Sequence, residues 1–417
     1  MLFGSSGVRR RYGRDLCDLA MEIGASLAGI NAERVLLGTD TRGTGPVIKN
    51  LLSAGITGTG GEVWDTGIVP TPVIGYGARF FDAGAMITAS HNPEEYNGIK
   101  LFNPDGSSFS GSQQASIEEE IGCPRWTGWD RQGEIRKFDA STPYLNAVLE
   151  HRTASPDLTL LLDCGNGAGS VISPRLLSLQ GVRLSCINCN PATTFARPSE
   201  PTAEYLSYLG AVVKSRAAEG AVVHDGDADR MMALDRRGRF ISGDHLMMLF
   251  VRYLGIHDVV TTYDASMAIE EIANVRRTPV GDSYVSAELT RWGEFGGEPS
   301  GAWIFPGHSL CPDGPYAAAV FCEMASEWDI AAEVDAMPSY PVFRESLLCE
   351  KAREVLLALG AESPTDGIRI EGESGWCLVR ASGTEPKIRL TAEGMNQAEA
   401  KEMLRAGRDL IRTWKSA

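Results

Sequence analysis

Short apolar runs that end at an aspartate recur along the chain, and each is followed by small or polar residues and a helical pattern. The three runs lie at residues 34–40, 158–163 and 258–264. The helical patterns that follow them lie at residues 46–56, 172–179 and 266–272. Such runs indicate buried strands, and strands that alternate with helices favour an α/β architecture. The sequence therefore predicts three related α/β units, without proving that they arose by duplication.

The last part of the chain has a different pattern. A helical stretch at residues 316–328 is followed by a polar, proline-containing segment at 338–341, which we interpret as a linker. Beyond it, the pattern predicts a helix at residues 351–359, a strand at 376–380 and a final amphipathic helix at 397–414. We therefore expect the residues after the linker to form a domain of their own.

The composition is typical of a soluble globular protein with several domains. A chain of 417 residues, 43% hydrophobic and 22% charged, is too long for one ordinary core, and about three or four domains are expected. Its net charge of −15 predicts a surface that binds neither nucleic acid nor acidic membranes. Because no apolar run approaches the length of a membrane span and no signal pattern is visible at the N-terminus, we expect a cytoplasmic protein. An anionic substrate would therefore need a local basic pocket.

The nine cysteines are scattered singly, and only Cys186 and Cys189 lie close together in sequence. A zinc site would need a second such pair or suitably spaced histidines, and the sequence has neither. We therefore interpret the thiols as reduced packing residues.

The first candidate for chemistry is the loop after the apolar residues 85–87. This run indicates the end of a buried strand, and it is followed by Ser90, His91 and a turn-forming Asn92-Pro93. We expect Ser90 to be presented rather than buried. A serine hydroxyl accepts or donates a phosphoryl group only where cations offset the charge and a base or metal handles the proton. An ordinary turn is the alternative, so the interpretation depends on other parts of the chain.

The second candidate is a loop with three aspartates at alternate positions, Asp225, Asp227 and Asp229, which follows the apolar residues 221–223. Carboxylates spaced in this way can converge on one hard cation and leave coordination sites open. The loop is not an EF-hand, because arginine stands where that motif needs glycine and glutamate. A magnesium site completed by an external anion fits better than the alternative, a solvated acidic turn.

Three further loops carry groups suited to phosphates or sugars. Residues 3–9 place small residues before Arg9, so that the backbone and a guanidinium can approach a phosphate. Residues 296–301 form a stiff loop with a carboxylate and a hydroxyl, suited to sugar hydroxyls. Residues 380–389 combine two arginines, a lysine, two hydroxyls and a glycine, which predicts a phosphate cradle. Each loop taken alone could also be a solvated turn.

The glycines after the second apolar run favour a tight strand-to-helix turn over a dinucleotide site. Gly165 and Gly167 fit the first two positions of the dinucleotide fingerprint, but Ser170 occupies the third. The next strand-like run, residues 183–187, ends in Asn188 and supplies no carboxylate for a ribose.

Taken together and in their order along the chain, these five loops resemble those of the α-D-phosphohexomutase family, which includes phosphoglucomutases, phosphomannomutases and phosphoglucosamine mutases. The resemblance runs from residues 3–9 to residues 380–389, nearly the whole chain. Two positions depart from the usual pattern: Arg10 stands where glycine is common, and Ala302 where histidine is common.

The resemblance implies a fold of four domains around a central cleft, three similar α/β domains and a C-terminal α+β domain of the TATA-binding-protein type. The corresponding ranges are residues 1–152 with the phosphoserine loop, 153–243 with the metal-binding loop, 244–337 with the sugar-recognition loop, and 338–417 with the phosphate-binding loop.

The resemblance also implies the site residues. Ser90 would be the phosphorylated serine and would hold one magnesium ion together with Asp225, Asp227 and Asp229. The remaining residues are His91 and Lys100 for proton handling and substrate contact, Arg9 and Arg230 for the phosphoryl group, Glu298 and Ser300 for sugar hydroxyls, and Arg380, Ser382, Gly383, Thr384 and Arg389 for the phosphate that does not react.

The implied reaction interconverts hexose 6-phosphate and hexose 1-phosphate, with a hexose 1,6-bisphosphate as intermediate and activator, in a monomer or homodimer. Residues 281–285 and 297–301 are more similar to phosphoglucosamine mutases, especially of the archaeal type, than to dedicated phosphoglucomutases. A phosphomannomutase/phosphoglucomutase of broad specificity, a non-catalytic sugar-phosphate sensor and a magnesium phosphatase are the alternatives.

Overall fold

The structure is a computed structural model that describes residues 2–4, 7–155, 157–382 and 386–415. Its strands form four sheets that follow one another along the chain, which we number I to IV. Among the described residues, no helix combines the length and the apolar character needed to cross a bilayer.

Sheet I has six strands in the order β1-β5-β4-β2-β3-β6, with β4, β2, β3 and β6 parallel to one another and β5 antiparallel to both of its neighbours, β1 and β4. The strands are β1 (Val8–Arg11), β2 (Arg34–Thr39), β3 (Glu62–Ile68), β4 (Ala83–Ile87), β5 (Tyr96–Phe102) and β6 (Ile135–Lys137). Its helices are α1 (Arg14–Ser26), α2 (Gly45–Gly58), α3 (Thr71–Gly77), α4 (Gly111–Glu120) and α5 (Ser141–Glu150).

Sheet II has five strands in the order β11-β10-β9-β7-β8, and its parallel part is β9-β7-β8. The elements are β7 (Thr159–Asp163), α6 (Gly169–Leu179), β8 (Arg183–Ile187), α7 (Leu209–Ser215), β9 (Gly220–His224), β10 (Met231–Asp235) and β11 (Phe240–Ile241).

Sheet III has four strands in the order β13-β12-β14-β15, and only β15 is antiparallel to its neighbour. The elements are α8 (Gly243–Leu254), β12 (Asp258–Thr262), β13 (Asn274–Thr278), α9 (Asp282–Leu289), β14 (Phe295–Gly297), β15 (Trp303–Ile304), α10 (Gly314–Glu327) and α11 (Ile330–Ala336).

Sheet IV is antiparallel throughout, in the order β16-β19-β18-β17. The elements are β16 (Val342–Leu348), α12 (Ala352–Ala358), β17 (Ile368–Gly372), β18 (Gly375–Ala381), β19 (Lys387–Gly394) and α13 (Gln397–Lys415). The predicted separate domain after residues 338–341 is therefore confirmed as an α+β unit. The three predicted strand–helix units are confirmed as well, except that the helix expected at residues 266–272 is only a 3₁₀ turn, Met267–Glu271.

The first three sheets share core residues, whereas sheet IV has a core of its own. One continuous apolar cluster joins side chains from all three α/β units, and α10 lies within it with most of its residues buried. A helix that is apolar on every side is typical of such a central position. Asp313 caps α10 by accepting a hydrogen bond from the backbone N of Tyr316 at 2.8 Å. At its first residue, Gly314, an added Cβ would lie 2.5 Å from the carbonyl oxygen of Arg230, so only glycine fits against sheet II.

One buried carboxylate, Glu393, joins sheet IV to the unit of sheet III. It accepts hydrogen bonds from the hydroxyl of Ser266 at 2.6 Å and from the backbone N of Met267 at 2.8 Å, both beyond β12. Within its own unit it also accepts from the indole N of Trp376 at 2.7 Å. Glu393 is 1% exposed, so these bonds are shielded from water and help to hold the C-terminal unit against sheet III.

Candidate active site

The ends of β4 and β9 bring Ser90 against the loop of aspartates. Ser90 has a backbone φ of 50°, a left-handed value that is uncommon for a residue with a side chain. Its backbone N donates to the hydroxyl of Thr88 at 2.9 Å, which fixes this turn. In this conformation the hydroxyl of Ser90 donates to Oδ2 of Asp225 at 2.9 Å. The serine and the aspartate loop therefore meet without any domain movement.

A buried arginine, Arg42, holds the serine loop in place. Its guanidinium donates to the carbonyl oxygens of Ser90, Asn92 and Pro93 at 2.6–2.7 Å and pairs with Asp40 at 3.0 Å. Burial raises the pKa of Asp40 to about 6, despite the opposing charge of Arg42. One planar cation thus satisfies three carbonyl groups of a loop that has no regular secondary structure.

The prediction that Ser90 is presented rather than buried is wrong, because Ser90 is only 1% exposed. Its loop lies in the crease between sheets I and II, where the hydroxyl of Ser199 donates to the carbonyl oxygen of Ser90 at 3.2 Å. The same hydroxyl accepts from the backbone N of Gly226 at 2.8 Å. Ser199 thus connects the serine loop to the aspartate loop.

Asp225, Asp227 and Asp229 converge closely enough to bind one ion, since one oxygen from each lies within 4.8 Å of the others. All three are buried. Oδ1 of Asp227 and Oδ1 of Asp229 are buried without a hydrogen-bond partner among the described residues. Burial and the charges of Asp229 and Asp227 raise the pKa of Asp225 well above its ordinary value. Two unpaired anionic oxygens in a dry, acidic pocket fit a hard divalent cation such as Mg²⁺.

Lys100, on β5, reaches the same loop from sheet I. Its ammonium lies 2.8 Å from Oδ2 of Asp227 and 2.5 Å from Oδ2 of Asp229. Burial disfavours its charge, but the two carboxylates outweigh burial and raise the pKa of Lys100. Thr71 adds a hydrogen bond to Oδ2 of Asp227 at 2.5 Å. Despite its burial, Asp227 therefore keeps a pKa below its ordinary value.

His91, Arg9 and Arg230 lie around the serine hydroxyl. Nδ1 of His91 is 3.5 Å from Oγ of Ser90. The charge of Arg230, burial and the charge of Arg9 lower the pKa of His91 to about 2, so its imidazole is neutral. Arg9 donates to the side-chain oxygen of Asn92 at 3.4 Å, and burial of Arg230 is outweighed by Asp225 and Asp229, which raise its pKa. The serine therefore lies among cations that can neutralise a phosphoryl group.

Acidic side chains lie at the carboxyl ends of three neighbouring strands of sheet III. Asp264 follows β12, Asp282 follows β13 and Glu298 follows β14. Burial, followed by the charge of Asp282, raises the pKa of Glu298 to about 7, and Asp264 contributes in the same direction. The hydroxyl of Ser300 donates to Oε2 of Glu298 at 3.2 Å. The charge of Arg230 opposes this rise, and the three carboxylates give this edge of sheet III an acidic character.

The C-terminal loop places two arginines opposite each other. Arg380 on β18 pairs directly with Arg389 on β19, so the two side chains project from the same face of the sheet. The hydroxyl of Ser382 is buried without a hydrogen-bond partner among the residues that the structure describes. Gly383 and Thr384, which the sequence also assigns to this cradle, lie outside the described residues.

Sequence reasoning missed three residues that assemble the site: Arg42, Thr71 and Ser199. Arg42 stands in a polar turn directly after a predicted strand, which is the one local signal it carries. Thr71 and Ser199 carry no such signal, because they contact Asp227 and Ser90 from positions 156 and 109 residues away.

Comparison with known proteins identifies the class of this protein. Four family models match in order: phosphoglucomutase/phosphomannomutase α/β/α domain I at residues 1–124, domain II at 142–238, domain III at 242–339 and the C-terminal domain at 344–409. The chain belongs to the phosphoglucomutase/phosphomannomutase family.

Individual relatives match over almost the full length. A probable phosphoglucosamine mutase of Methanosarcina acetivorans is 40% identical over 418 residues, covering 95% of this chain and 96% of the relative. A phosphoglucosamine mutase of Methanococcus aeolicus is 38% identical, covering 99% and 98%. A crystal structure of a phosphoglucomutase/phosphomannomutase family protein from Burkholderia thailandensis has a TM-score of 0.87 and 25% identity, covering 99% of this chain and 97% of that one.

Proposed function

We propose that this protein is a phosphohexomutase that interconverts glucosamine 6-phosphate and glucosamine 1-phosphate through a phosphoserine at Ser90. The observation that carries the proposal is the hydrogen bond of 2.9 Å between Oγ of Ser90 and Oδ2 of Asp225, within a group of three convergent aspartates. Full-length relatives named phosphoglucosamine mutases support it.

Asp225, Asp227 and Asp229 would hold Mg²⁺, and an oxygen of phosphorylated Ser90 would complete the ligand set. Bound there, the ion would neutralise charge on the phosphoryl group during transfer. Lys100 keeps two of the aspartates from repelling each other and contributes a second positive charge beside the serine.

The transfer itself requires little beyond positioning and charge neutralisation. The bond between phosphorus and Oγ of phosphorylated Ser90 breaks, and a hydroxyl oxygen of the sugar phosphate forms the new bond to phosphorus. The proton that this hydroxyl loses is balanced by the proton that Oγ of Ser90 gains. Arg9 and Arg230 stabilise the charge on the transferring group. The neutral imidazole of His91, 3.5 Å from Oγ, is placed to exchange a proton at the serine oxygen.

The bound hexose 1,6-bisphosphate must then turn over, so that its other phosphate returns to Ser90. A cradle built from Arg380, Ser382 and Arg389 on the C-terminal unit suits this step, because it can grip either phosphate in turn. The same bisphosphate, supplied from outside, would act as activator by phosphorylating Ser90.

The acidic edge of sheet III supports glucosamine as the sugar. Glucosamine phosphates carry an ammonium group on C2, whereas glucose and mannose phosphates carry a neutral hydroxyl there. The charges of Asp282 and Asp264 act on Glu298 of the sugar loop, and an ammonium group bound there would be attracted to these carboxylates.

The domain boundaries that the sequence suggests, after residues 152, 243 and 337, remain part of this proposal. Limited proteolysis followed by mass analysis of the fragments tests them, because cleavage concentrates in exposed segments between compact units.

The central test is the phosphorylation of Ser90. Incubation with glucose 1,6-bisphosphate and Mg²⁺ should add one phosphate, which peptide mapping should locate on Ser90. Ser90→Ala should abolish both the label and the interconversion, whereas the exposed Ser116→Ala should retain both. Full activity of Ser90→Ala would refute the mechanism, release of inorganic phosphate would identify a phosphatase, and binding without turnover would identify a sensor.

The sugar is tested by relative rates on glucosamine, glucose and mannose phosphates. We expect glucosamine 6-phosphate to be preferred, and Asp282→Asn to reduce its preference over glucose 6-phosphate by about tenfold, mainly through KM. Glu288→Gln on the same helix is the control, because Glu288 pairs with Arg276. Equal rates on all three sugars would favour a phosphomannomutase/phosphoglucomutase of broad specificity.

A further inference from the structure

We propose that Cys164 and Cys189 form a reversible disulfide that weakens metal binding at the aspartate loop. Cys164 directly follows β7, and Cys189 follows the neighbouring parallel strand β8 by two residues. Their Sγ atoms lie 3.5 Å apart. The pair was not evident from the sequence, where Cys189 lies closest to Cys186.

The two thiols differ in a way that suits stepwise oxidation. Cys189 is half-buried, and hydrogen bonding with Cys164 lowers its pKa. Cys164 is fully buried, and burial raises its pKa. The thiolate of Cys189 therefore attacks a peroxide oxygen first, forming a sulfenic acid and water. The thiol of Cys164 then displaces the hydroxyl group as a second water, so two thiols supply the two electrons that reduce hydrogen peroxide. A dithiol reductant reverses the bond by exchange.

Disulfide formation would affect the aspartate loop through the turn that begins at Cys164. The backbone N of Ala168 donates to the carbonyl oxygen of Gly226, between two of the metal-loop aspartates, at 2.9 Å. The two backbone segments are closely packed, since an added Cβ at Gly167 would lie 2.6 Å from that same oxygen. A disulfide bond length of about 2.05 Å requires the sulfurs to approach by about 1.5 Å. The turn must absorb this movement next to Gly226.

Disulfide formation would also affect the aspartate loop through the segment that follows Cys189. The backbone N of Ala192 donates to the carbonyl oxygen of Asn166 at 3.2 Å, so the segment is already attached to the turn. Farther along, the hydroxyl of Ser199 contacts both Gly226 and Ser90. The dithiol thus lies where two supports of the aspartate loop meet, and closing it shifts both.

A metal site is not the better interpretation of these thiols. Across the described part of the chain, the three aspartates are the one group of three or more histidine, cysteine or carboxylate side chains close enough to hold an ion. Cys186 is exposed and also interacts with Cys189, so a variant at Cys186 tests the alternative pairing.

The test uses the full-length protein and needs no mutase assay, so its failure is separate from any failure of the proposed function. Mild hydrogen peroxide should produce one intramolecular disulfide, mapped by mass spectrometry to the peptides that carry Cys164 and Cys189. Calorimetric titration should then show Mg²⁺ affinity reduced by about tenfold, as for groups that support metal ligands. Dithiothreitol should restore it.

The variants decide the assignment. Cys186→Ser should keep the response, and Cys189→Ser should lose it while still binding Mg²⁺ like the reduced wild type. Cys164→Ser should also lose the response. If this variant does not fold, the result for Cys189→Ser decides the assignment. A Cys186–Cys189 linkage, no disulfide, an unchanged Mg²⁺ affinity in the oxidised protein, or the same loss in Cys189→Ser would each overturn the proposal.

Discussion

The hydroxyl of Ser90 and Oδ2 of Asp225 lie 2.9 Å apart although the residues are separated by 135 positions in the chain. The two residues belong to different sheets, since Ser90 follows β4 of sheet I and Asp225 follows β9 of sheet II. Ligand sites at the carboxyl ends of parallel strands are the rule in α/β folds. The contact therefore depends on the residues that hold the two loops together, and these are the first targets for mutation.

Arg42→Ala should disable the serine loop. The substitution removes the donors to the carbonyl oxygens of Ser90 and Asn92 and leaves Asp40 buried without its cation, at a cost of about 3–5 kcal/mol. Chemical denaturation should show this loss, together with little phosphate on Ser90. The exposed Arg34→Ala is the control, and its pair with Asp82 should contribute little. Wild-type phosphorylation in Arg42→Ala would contradict the assigned role.

Asp225→Asn should weaken Mg²⁺ binding and stabilise the protein without metal. Burial and two like charges raise the pKa of Asp225, so its ionised form costs stability at neutral pH when no cation is bound. Calorimetry should show at least about tenfold weaker Mg²⁺ binding. Thermal unfolding in chelator should give a higher Tm than for the wild type, whereas the exposed Asp157→Asn should change neither value. Unchanged Mg²⁺ affinity would remove Asp225 from the ligand set.

Gly167→Ala should damage the metal loop through packing alone. The new Cβ would lie 2.6 Å from the carbonyl oxygen of Gly226, and overpacking of this kind costs about 1–3 kcal/mol. Urea unfolding and Mg²⁺ titration should both register the change. Gly111→Ala at the start of α4 meets no atom within 4 Å and serves as the control. If both variants behave alike, the contact with Gly226 is not tight.

Asp313→Asn should increase stability at neutral pH and lose that advantage in acid. Burial raises the pKa of Asp313 to about 7 from an ordinary value of 3.8. Between these values the folded state holds more protons than the unfolded state, so the stability of the wild type falls as pH rises through this window. Both hydrogen bonds that Asp313 accepts, from Tyr144 and from the backbone of Tyr316, reach Oδ1, which asparagine also has.

The gain at pH 8 should be on the order of 1–4 kcal/mol, measured by urea unfolding, and should vanish near pH 4. Asp329→Asn is the control of opposite sign, because hydrogen bonding by Arg236 lowers the pKa of Asp329 to about 2. That variant should show no gain at any pH. A constant difference between Asp313→Asn and the wild type across the pH range would mean that Asp313 titrates normally.

Glu393→Gln should loosen the C-terminal unit. The amide can accept fewer of the bonds that Ser266, Met267 and Trp376 donate to the carboxylate, at a cost of about 1–3 kcal/mol. Hydrogen exchange should increase around Ser266 and Trp376, and KM for the sugar phosphate should rise. The exposed Glu373→Gln should do neither. Unaltered exchange at Ser266 would show that other contacts determine the docking.

The sequence predicted most of this architecture because strand, aspartate and small residues recur in one local pattern. The strands ending at Asp163 and Thr262 and the aspartate loop itself follow from residues that are neighbours in the chain. The exception is the turn Met267–Glu271, where Ser266 forms a hydrogen bond with Glu393, a residue 127 positions away. The periodicity of neighbouring residues carries no information about a partner so distant in the chain.

The site was predicted less completely for the same reason. Chemistry-bearing residues such as Ser90 and Asp227 were identifiable from their motifs, but their supports were not. Arg42 is in a short polar turn, and Ser199 lies in an irregular segment. Their contacts with the serine and aspartate loops form only when sheets I and II pack together. Burial of Ser90 is likewise a property of that packing and not of its loop.

Arg380 and Arg389 are opposite each other on neighbouring strands, and their two positive charges would attract an anion to the C-terminal unit. In the proposed cradle, a phosphate dianion between the two guanidinium groups would be attracted to both. Capture of substrate would therefore tighten this sheet as well as fill it, and raising the ionic strength would weaken capture more steeply than a single cation would allow.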